Sequence, residues 1–138
     1  MSVPFTVDVP VRYRDLDPLD HVNHAVYASY LEAARTQFLE EVLGVPPADI
    51  SFVIANLEID YERPILAEHE PTVALWITHV GDSSCTMTYE IRVDDGVAAT
   101  AETTIVHVDP DSKGPAPLSD DVRDRFREYE RVEASASR

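Results

Sequence analysis

The sequence has few of the residues that mark several common classes of protein. Its 138 residues include one cysteine, Cys85, so an internal disulfide is excluded and a buried thiol in an intracellular protein is expected. With four glycines and no Gly-x-Ser-x-Gly motif, it has neither a glycine-rich phosphate loop nor the nucleophile elbow of a serine hydrolase. No apolar run approaches the roughly 20 residues of a membrane-spanning helix, and the N-terminus does not resemble a signal peptide. We therefore expect a cytoplasmic protein that does not bind a membrane.

Positive charge is scarce as well. The chain has 26 acidic residues against 11 basic ones, a formal net charge of -15, and Lys113 is the only lysine. This balance argues against binding to nucleic acid or to an anionic membrane through the overall field. It is consistent with adaptation to high salt, where a Debye length of about 3 Å at 1 M screens self-repulsion, and equally with an ordinary acidic protein.

Hydrophobic residues make up 44% of the chain, enough for one globular domain over residues 1–138. Five segments alternate between apolar and polar residues with a period of two, which predicts half-buried strands. They cover residues 5–13, 53–61, 71–80, 84–93 and 97–108. In the second segment, the odd positions from Val53 to Tyr61 are expected to face the core, and Asp94-Asp95-Gly96 predicts a hairpin between the last two strands.

Another segment has the period of an α-helix. From Asn23 to about Leu43, apolar residues recur every three or four positions, at Tyr27, Leu31, Ala34, Phe38 and Val42. Gly44 is placed to end this helix, and Asp20 or Asn23 is placed to cap its start. A short charged helix is predicted from Ser119 to Arg131, and residues 133–138 are predicted to be a frayed tail.

The order of these elements predicts an α+β fold. A five-stranded antiparallel sheet would wrap around the long helix, with a short helix at the C-terminal end of the chain. One face of the sheet and an edge strand would then remain uncovered, which favours a dimer.

The densest group of polar residues lies between the first strand and the long helix. Three carboxylates, two histidines and one amide occur within ten residues, at Asp15, Asp17, Asp20, His21, Asn23 and His24. The free N–H groups and the positive dipole at a helix start suit stabilisation of an oxyanion. A carboxylate beside them can attack a carbonyl carbon or activate water. No metal site is expected, because His21 and His24 lack a third well-spaced ligand.

The residues from Arg12 to Arg35 resemble a known family. Their pattern is Arg-x-Arg-Asp-x-Asp-x-x-x-His-Val-Asn-x-x-x-Tyr-x-x-Tyr-x-Glu-x-Ala-Arg. It is similar to that of the hot-dog-fold acyl-CoA thioesterases of the 4-hydroxybenzoyl-CoA thioesterase type. The resemblance continues in residues 57–61 and 63–64 and in the approach to the last helix, so it covers nearly the whole chain. It implies the hot-dog fold and hydrolysis of an acyl-CoA to free acid and CoA, without a metal or other cofactor.

The resemblance also implies roles for individual residues. The catalytic acid at the end of the first strand corresponds to Asp15, which would attack the thioester or activate water, and the backbone amide that polarises the carbonyl corresponds to Val22. The His-Val-Asn segment is also similar to that of acyl-carrier-protein thioesterases, in which the acid corresponds to Asp17 and a histidine such as His21 shares the chemistry. His21 could instead only cap or pack at the helix start. Substrate binding is assigned to Asn23, Tyr27, Arg63 and Arg92.

The family works as a dimer with sites at the subunit interface, often paired into tetramers, so a homodimer or homotetramer is expected here. Acyl-CoA thioesterase activity is the leading hypothesis, with a non-catalytic acyl-CoA-binding protein and an acyl-carrier-protein thioesterase as alternatives. A further alternative is an enoyl-CoA hydratase of the same fold. Such hydratases carry their Asp and His five positions apart, whereas His21 follows Asp15 by six positions and Asp17 by four.

Overall fold

Five strands form one antiparallel sheet in the computed structural model, which describes residues 3–44, 51–94 and 96–131. The elements are β1 (Phe5–Asp8), a 3₁₀ turn (Tyr13–Asp15), α1 (Val26–Leu43), β2 (Phe52–Tyr61), β3 (Thr72–Val80), β4 (Ser84–Val93), β5 (Gly96–His107) and α2 (Asp120–Arg127). Neighbouring strands follow the order β1-β3-β4-β5-β2. The α+β architecture is confirmed, and its order of elements is that of the hot-dog fold.

The core lies between α1 and the face of the sheet that it covers. All five helix residues predicted to face the core are buried, and so are Tyr30 and Leu39. From β4, Cys85 contributes to the same core, and burial raises the pKa of its thiol to about 12, so it is unreactive at neutral pH. Within the described ranges, no helix is both long and apolar enough to cross a membrane.

The sequence predicted the C-terminal end of α1 correctly but not the cap at its N-terminal end. The helix ends as predicted at Gly44, whose φ of 70° is a left-handed conformation that glycine adopts without steric cost. The predicted caps are wrong, because the helix begins at Val26 after Ala25, and no side chain caps it. Asn23 Oδ1 accepts a hydrogen bond from the Ala25 N–H at 2.9 Å, and Asp20 lies in the preceding loop with a φ of 64°. Asn23 therefore stabilises a turn before the helix rather than its first turn.

β2 forms one edge of the sheet, and here the predicted alternation is only half right. Its pairing with β5 shifts by one residue between Ile54 and Asn56, a β-bulge that exchanges the faces of the side chains. Val53 therefore lies on the opposite face from Leu57, although both were predicted to face the core. These residues are 48% and 41% exposed, and Tyr61 is 49% exposed. Among the described residues no strand pairs with the outer edge of β2, so a ten-residue edge with apolar side chains stays open.

Two elements are shorter than predicted. β1 ends at Asp8 rather than near Tyr13, because Pro10 has no N–H to donate to a ladder and the chain then enters the 3₁₀ turn. α2 ends at Arg127 rather than Arg131, because the chain turns to run beside β3, where the Ile77 N–H donates to the Tyr129 carbonyl at 3.0 Å. The predicted tail at 133–138 lies outside the described residues.

Candidate functional site

A pocket of about 350 Å³ lies at the N-terminal end of α1. The loop before the helix and the first turn of the helix form one wall, and residues 61–64 at the end of β2 form the other. Of the predicted site residues, those that line this pocket are Asp17, His21, Val22, Tyr27 and Arg63. Asp15, Asn23 and Arg92 do not line it. The pocket is therefore where the dipole of the helix would act on a substrate.

Asp17 is the carboxylate residue that the loop before α1 contributes to the pocket. Its Oδ1 accepts hydrogen bonds from the backbone N–H groups of Leu19 at 2.9 Å and His21 at 3.1 Å. The hydrogen bond from His21 above all, with further contributions from Leu19 and the nearby His21 side chain, lowers the pKa of Asp17 below its usual value of 3.8. Asp17 is therefore ionised at neutral pH, and its other oxygen, Oδ2, accepts no hydrogen bond from the described residues.

Asp15 lies outside the pocket and is buried, with 8% of its surface exposed. Its Oδ2 accepts hydrogen bonds from the Tyr30 hydroxyl at 2.8 Å and the Arg12 N–H at 2.9 Å. Its backbone carbonyl accepts the Asn23 N–H at 2.8 Å. Burial, and then the hydrogen bond to Asp15, raise the pKa of Tyr30, so this hydroxyl stays protonated and remains a donor. These contacts tie the loop to α1.

The backbone amide that the resemblance assigned to the substrate carbonyl is already bonded. Val22 N–H donates to the Ile65 carbonyl at 2.8 Å, and the next N–H along the chain, that of Asn23, donates to Asp15. Throughout residues 16–27, all of them described, His24 is the only residue whose backbone N–H has no hydrogen-bond acceptor among the described residues. His24 also lines the pocket. The sequence predicted free backbone N–H groups near the helix start. Which N–H is free depends on the hydrogen-bond partners of each residue in the folded chain.

Aromatic residues join the two walls of the pocket. The rings of Tyr27 and Tyr61 meet edge to face with centroids 4.9 Å apart. The Tyr61 hydroxyl donates to the His24 carbonyl at 3.0 Å, and the Tyr27 hydroxyl donates to the Arg63 carbonyl at 3.4 Å. The guanidinium of Arg63 lies over Gly96, where a Cβ atom would collide with it. The pocket wall therefore depends on the register between α1, β2 and β5.

Arg92 lies far from this arrangement, on the face of the sheet opposite α1. It bonds to Glu90, with 2.9 Å from Nε to Oε1, and lies over the ring of Trp76 at 5.6 Å from the centroid. β4 alternates regularly, and its even-numbered residues all lie on this outer face. The sequence alternation could therefore have separated Arg92 from the pocket.

A separate groove lies between α1 and β2. Its first part, of about 180 Å³, has Glu32 and Arg35 on the helix side and Ile54 and Leu57 on the strand side. A second part of about 240 Å³ extends to Phe52. The strand side of this groove is apolar and the helix side is polar, which suits an acyl chain lying along β2. Within the described ranges, no group of three or more His, Cys, Asp or Glu side chains is placed to hold a metal ion.

Comparisons with known proteins show the family of this chain. Residues 11–126 match the model of the thioesterase-like superfamily. The long-chain acyl-CoA thioesterase FadM of Escherichia coli is 28% identical over 125 residues, which cover 87% of this chain and 95% of FadM. The acyl-CoA thioester hydrolase YbgC of Escherichia coli O6:H1 is 26% identical over 129 residues, which cover 90% of this chain and 96% of YbgC.

The solved structures give the same result. A thioesterase from Thermus thermophilus, complexed with coenzyme A and zinc, is 38% identical with a TM-score of 0.84, covering 91% of this chain and 92% of that one. A predicted thioesterase from Bacillus stearothermophilus is 25% identical with a TM-score of 0.87, covering 94% of this chain and 98% of that one. Because the family model and these relatives span most of its length, the chain belongs to the thioesterase-like superfamily.

Proposed function

We propose that this protein is an acyl-CoA thioesterase that hydrolyses its substrate to a free acid and CoA. One observation carries the proposal: the ionised carboxylate of Asp17 lines the same pocket as His24, whose backbone N–H has no acceptor in the described part of the chain. An N–H at a helix start can polarise the thioester carbonyl, and a carboxylate can act on the carbon of that carbonyl. CoA esters are supported as the substrate class by the names of FadM and YbgC and by the coenzyme A in the Thermus thermophilus structure.

Asp17 and His24 N–H take the roles that the resemblance first gave to Asp15 and Val22. Asp15 is buried and already bonded, and Val22 N–H would have to leave the Ile65 carbonyl before it could reach a substrate. Asp17 and the His24 amide need no such rearrangement.

Nucleophilic attack by Asp17 suits its environment better than general-base catalysis. A general base works best with a pKa near the working pH, whereas hydrogen bonds lower the pKa of Asp17. In the proposed reaction the carboxylate adds to the carbonyl carbon and the C–S bond breaks. CoA leaves as a thiolate that takes up a proton, and a mixed anhydride remains. Water then cleaves the anhydride, releasing the acid and restoring Asp17.

The mechanism can be tested by a single turnover in ¹⁸O-labelled water. A nucleophilic Asp17 would carry the label after water attacks its own carbonyl carbon, and mass spectrometry of the peptide containing Asp17 would detect it. Label that appears only in the product acid fits general-base catalysis, but it also fits an anhydride that water attacks at the acyl carbon. Rapid quenching separates the two, because an acyl adduct on the Asp17 peptide marks the nucleophile and its absence would assign Asp17 to general-base catalysis.

A second copy of this chain is the proposed partner of the open β2 edge. Val53, Ile54 and Leu57 expose apolar surface there, and an unpaired edge of ten residues can extend the sheet across a two-fold axis. Residues 61–64, at the end of β2, line the pocket, so a partner at this edge would lie beside the site.

Arg63 is the proposed contact for a CoA phosphate. Association of two dimers into a tetramer stays a prediction.

The activity itself is tested by thiol release from short, long and aromatic acyl-CoAs, at low and at molar salt. We expect thiol release from at least one ester. Binding of the esters without thiol release would favour the non-catalytic binding protein. Hydration of crotonyl-CoA would favour the hydratase, and activity on acylated carrier protein alone would favour the acyl-carrier-protein thioesterase.

A further inference from the structure

The loop that carries Asp17, residues 16–22, is closed upon itself. Leu16 and Val22 form an antiparallel bridge at its base. Near its tip, the Asp17 N–H donates to the His21 carbonyl at 2.7 Å, and Asp17 Oδ1 accepts the His21 N–H at 3.1 Å. The loop therefore has its own internal geometry, but its position relative to α1 must come from contacts at its base.

Asp15, at the base of this loop, makes three contacts that reach different parts of the chain. Its carboxylate accepts the Arg12 N–H of the segment before the loop and the Tyr30 hydroxyl of α1. Its carbonyl accepts the N–H of Asn23, the residue that follows the loop. Asp15 therefore joins the start of the loop, its end and the helix.

Both partners in the contact between Asp15 and Tyr30 are buried. Asp15 is 8% exposed and Tyr30 is 6% exposed. A buried carboxylate is costly unless hydrogen bonds satisfy it, and here two donors bond to one of its oxygens, Oδ2. Removing the Tyr30 hydroxyl would leave the carboxylate with a single donor, the Arg12 N–H, which belongs to the segment before the loop and not to the helix.

The opposite side of the loop is held by the segment after β2. Val22 N–H donates to the Ile65 carbonyl, and His21 forms an antiparallel bridge with Leu66. These contacts fix the loop against the segment that follows β2, whereas the contact between Asp15 and Tyr30 fixes it against α1. The separation between Asp17 and the His24 amide at the helix start therefore depends on the contact with α1.

We infer that Asp15 and Tyr30 are positioning residues, which hold the Asp17 loop so that the carboxylate of Asp17 and the N–H of His24 act on the same carbonyl group. This inference rests on the proposed thioesterase function. Neither residue lines the pocket, so each acts through Asp17 and not on the substrate. A displacement of about 1 Å at a reacting group can cost roughly 100-fold in rate, so the tether would be visible in kcat.

Four variants test the inference by thiol release. Asp15→Asn keeps an oxygen that can accept both hydrogen bonds, so it should stay within about three-fold of wild type, since it loses only the charge of the acceptor. Tyr30→Phe should lower kcat about ten-fold, the effect of roughly one lost hydrogen bond, with KM little changed. Asp15→Ala also loses the bond from the Arg12 N–H, so it should lower kcat at least as much. The double variant Asp15→Ala/Tyr30→Phe should be no slower than Asp15→Ala, because the two residues share one contact.

Tyr89→Phe is the matched control. The Tyr89 hydroxyl is also buried and hydrogen-bonded, at 2.7 Å from Thr103 Oγ1 and 3.4 Å from Arg35 Nη1, but it lies in β4 and makes no contact with the Asp17 loop. With a short acyl ester, which does not reach the groove beside Arg35, this variant should lose stability as Tyr30→Phe does, with kcat unchanged. Amide hydrogen exchange gives a readout that does not depend on activity: the Asn23 N–H should exchange faster in Asp15→Ala and Tyr30→Phe but not in Tyr89→Phe.

Two results would overturn the inference. If Asp15→Asn loses as much activity as Asp17→Asn, then Asp15 itself takes part in the chemistry. If Asp15→Ala and Tyr30→Phe melt earlier but keep the wild-type kcat, their role is structural only. If the wild type releases no thiol, the proposed function fails, but hydrogen exchange still tests the contact between Asp15 and Tyr30. An Asn23 N–H that exchanges at the wild-type rate in Asp15→Ala and in Tyr30→Phe would show that this contact does not hold the loop.

Discussion

The unbonded amide of His24 can be removed without disturbing any hydrogen bond of the described residues. Replacing His24 with proline removes the backbone N–H of this residue. No hydrogen bond is lost with it, because this N–H has no acceptor in the described part of the chain. The site also suits proline. The Val26 N–H donates to the Asn23 carbonyl at 2.9 Å, so residues 23–26 form a turn with His24 in its second position. Proline is favoured at that position in common turns.

The expected effect of His24→Pro is large on rate and small on stability. Removing one donor to an oxyanion costs about 100- to 1,000-fold in kcat, or roughly 3–4 kcal/mol of transition-state stabilisation. Proline at a compatible position changes the free energy of unfolding by only about 0.4–1 kcal/mol, and in the stabilising direction. His24→Ala keeps the N–H but removes the imidazole, so it separates the backbone from the side chain.

The assay is thiol release at saturating acyl-CoA, with thermal unfolding measured on the same samples. We expect His24→Pro to be slow and stably folded, and His24→Ala to be close to wild type. A His24→Pro variant with wild-type kcat would refute the assignment of this amide to the carbonyl oxygen. Loss of activity in both variants would transfer the role to the imidazole.

Three further predictions concern the carboxylate, the open edge and the core. Because the His21 N–H above all lowers the pKa of Asp17, kcat/KM should hold as pH falls from neutrality and decline only below the usual aspartate value of 3.8. A pH profile on protein shown to be folded by circular dichroism tests this, and an acid limb near pH 6 would contradict it. Leu57→Lys places a charge on the exposed apolar edge of β2, so sedimentation should show a dimer for wild type and a monomer for the variant. A variant that stays dimeric would place the interface elsewhere. Phe38, fully buried between α1 and the sheet, should lose about 3–5 kcal/mol of unfolding free energy on replacement by alanine, as measured in urea. A loss below about 1 kcal/mol would mean that the core repacks.

Periodicity predicted the fold well where one pattern continued through a whole element. Leu31, Ala34 and Phe38 recur with the helical period and are buried, and β4 alternates without interruption from Ser84 to Val93. β2 differs because a bulge near Ile54 shifts the alternation of side chains between the two faces inside a single strand. No residue type in this segment indicates the bulge. The predicted caps were wrong because the Asn23 side chain bonds to the Ala25 N–H in a turn before the helix, and so does not cap the helix itself.

The sequence located the candidate site but did not resolve its members. The crowded loop before α1 pointed to the region of the pocket, and Asp17, His21 and Tyr27 meet there. Asp15 and Asp17 are two positions apart and chemically identical, so only their surroundings distinguish them. One is buried against Tyr30, and the other lines the pocket. The choice among backbone amides depends on partners distant in sequence, such as the Ile65 carbonyl for Val22 N–H, which local patterns do not contain.

The proposed role of the Asp17 carboxylate is to attack the thioester in this pocket. Its most direct test is the initial rate of thiol release by wild type and by Asp17→Asn, on an ester that the wild type hydrolyses. Asparagine is nearly isosteric, and its oxygen can still accept the N–H groups of Leu19 and His21, so the loop should keep its shape. We expect a loss of at least about 100-fold in kcat with an unchanged melting temperature. An Asp17→Asn variant that hydrolyses the ester at the wild-type rate would contradict this role.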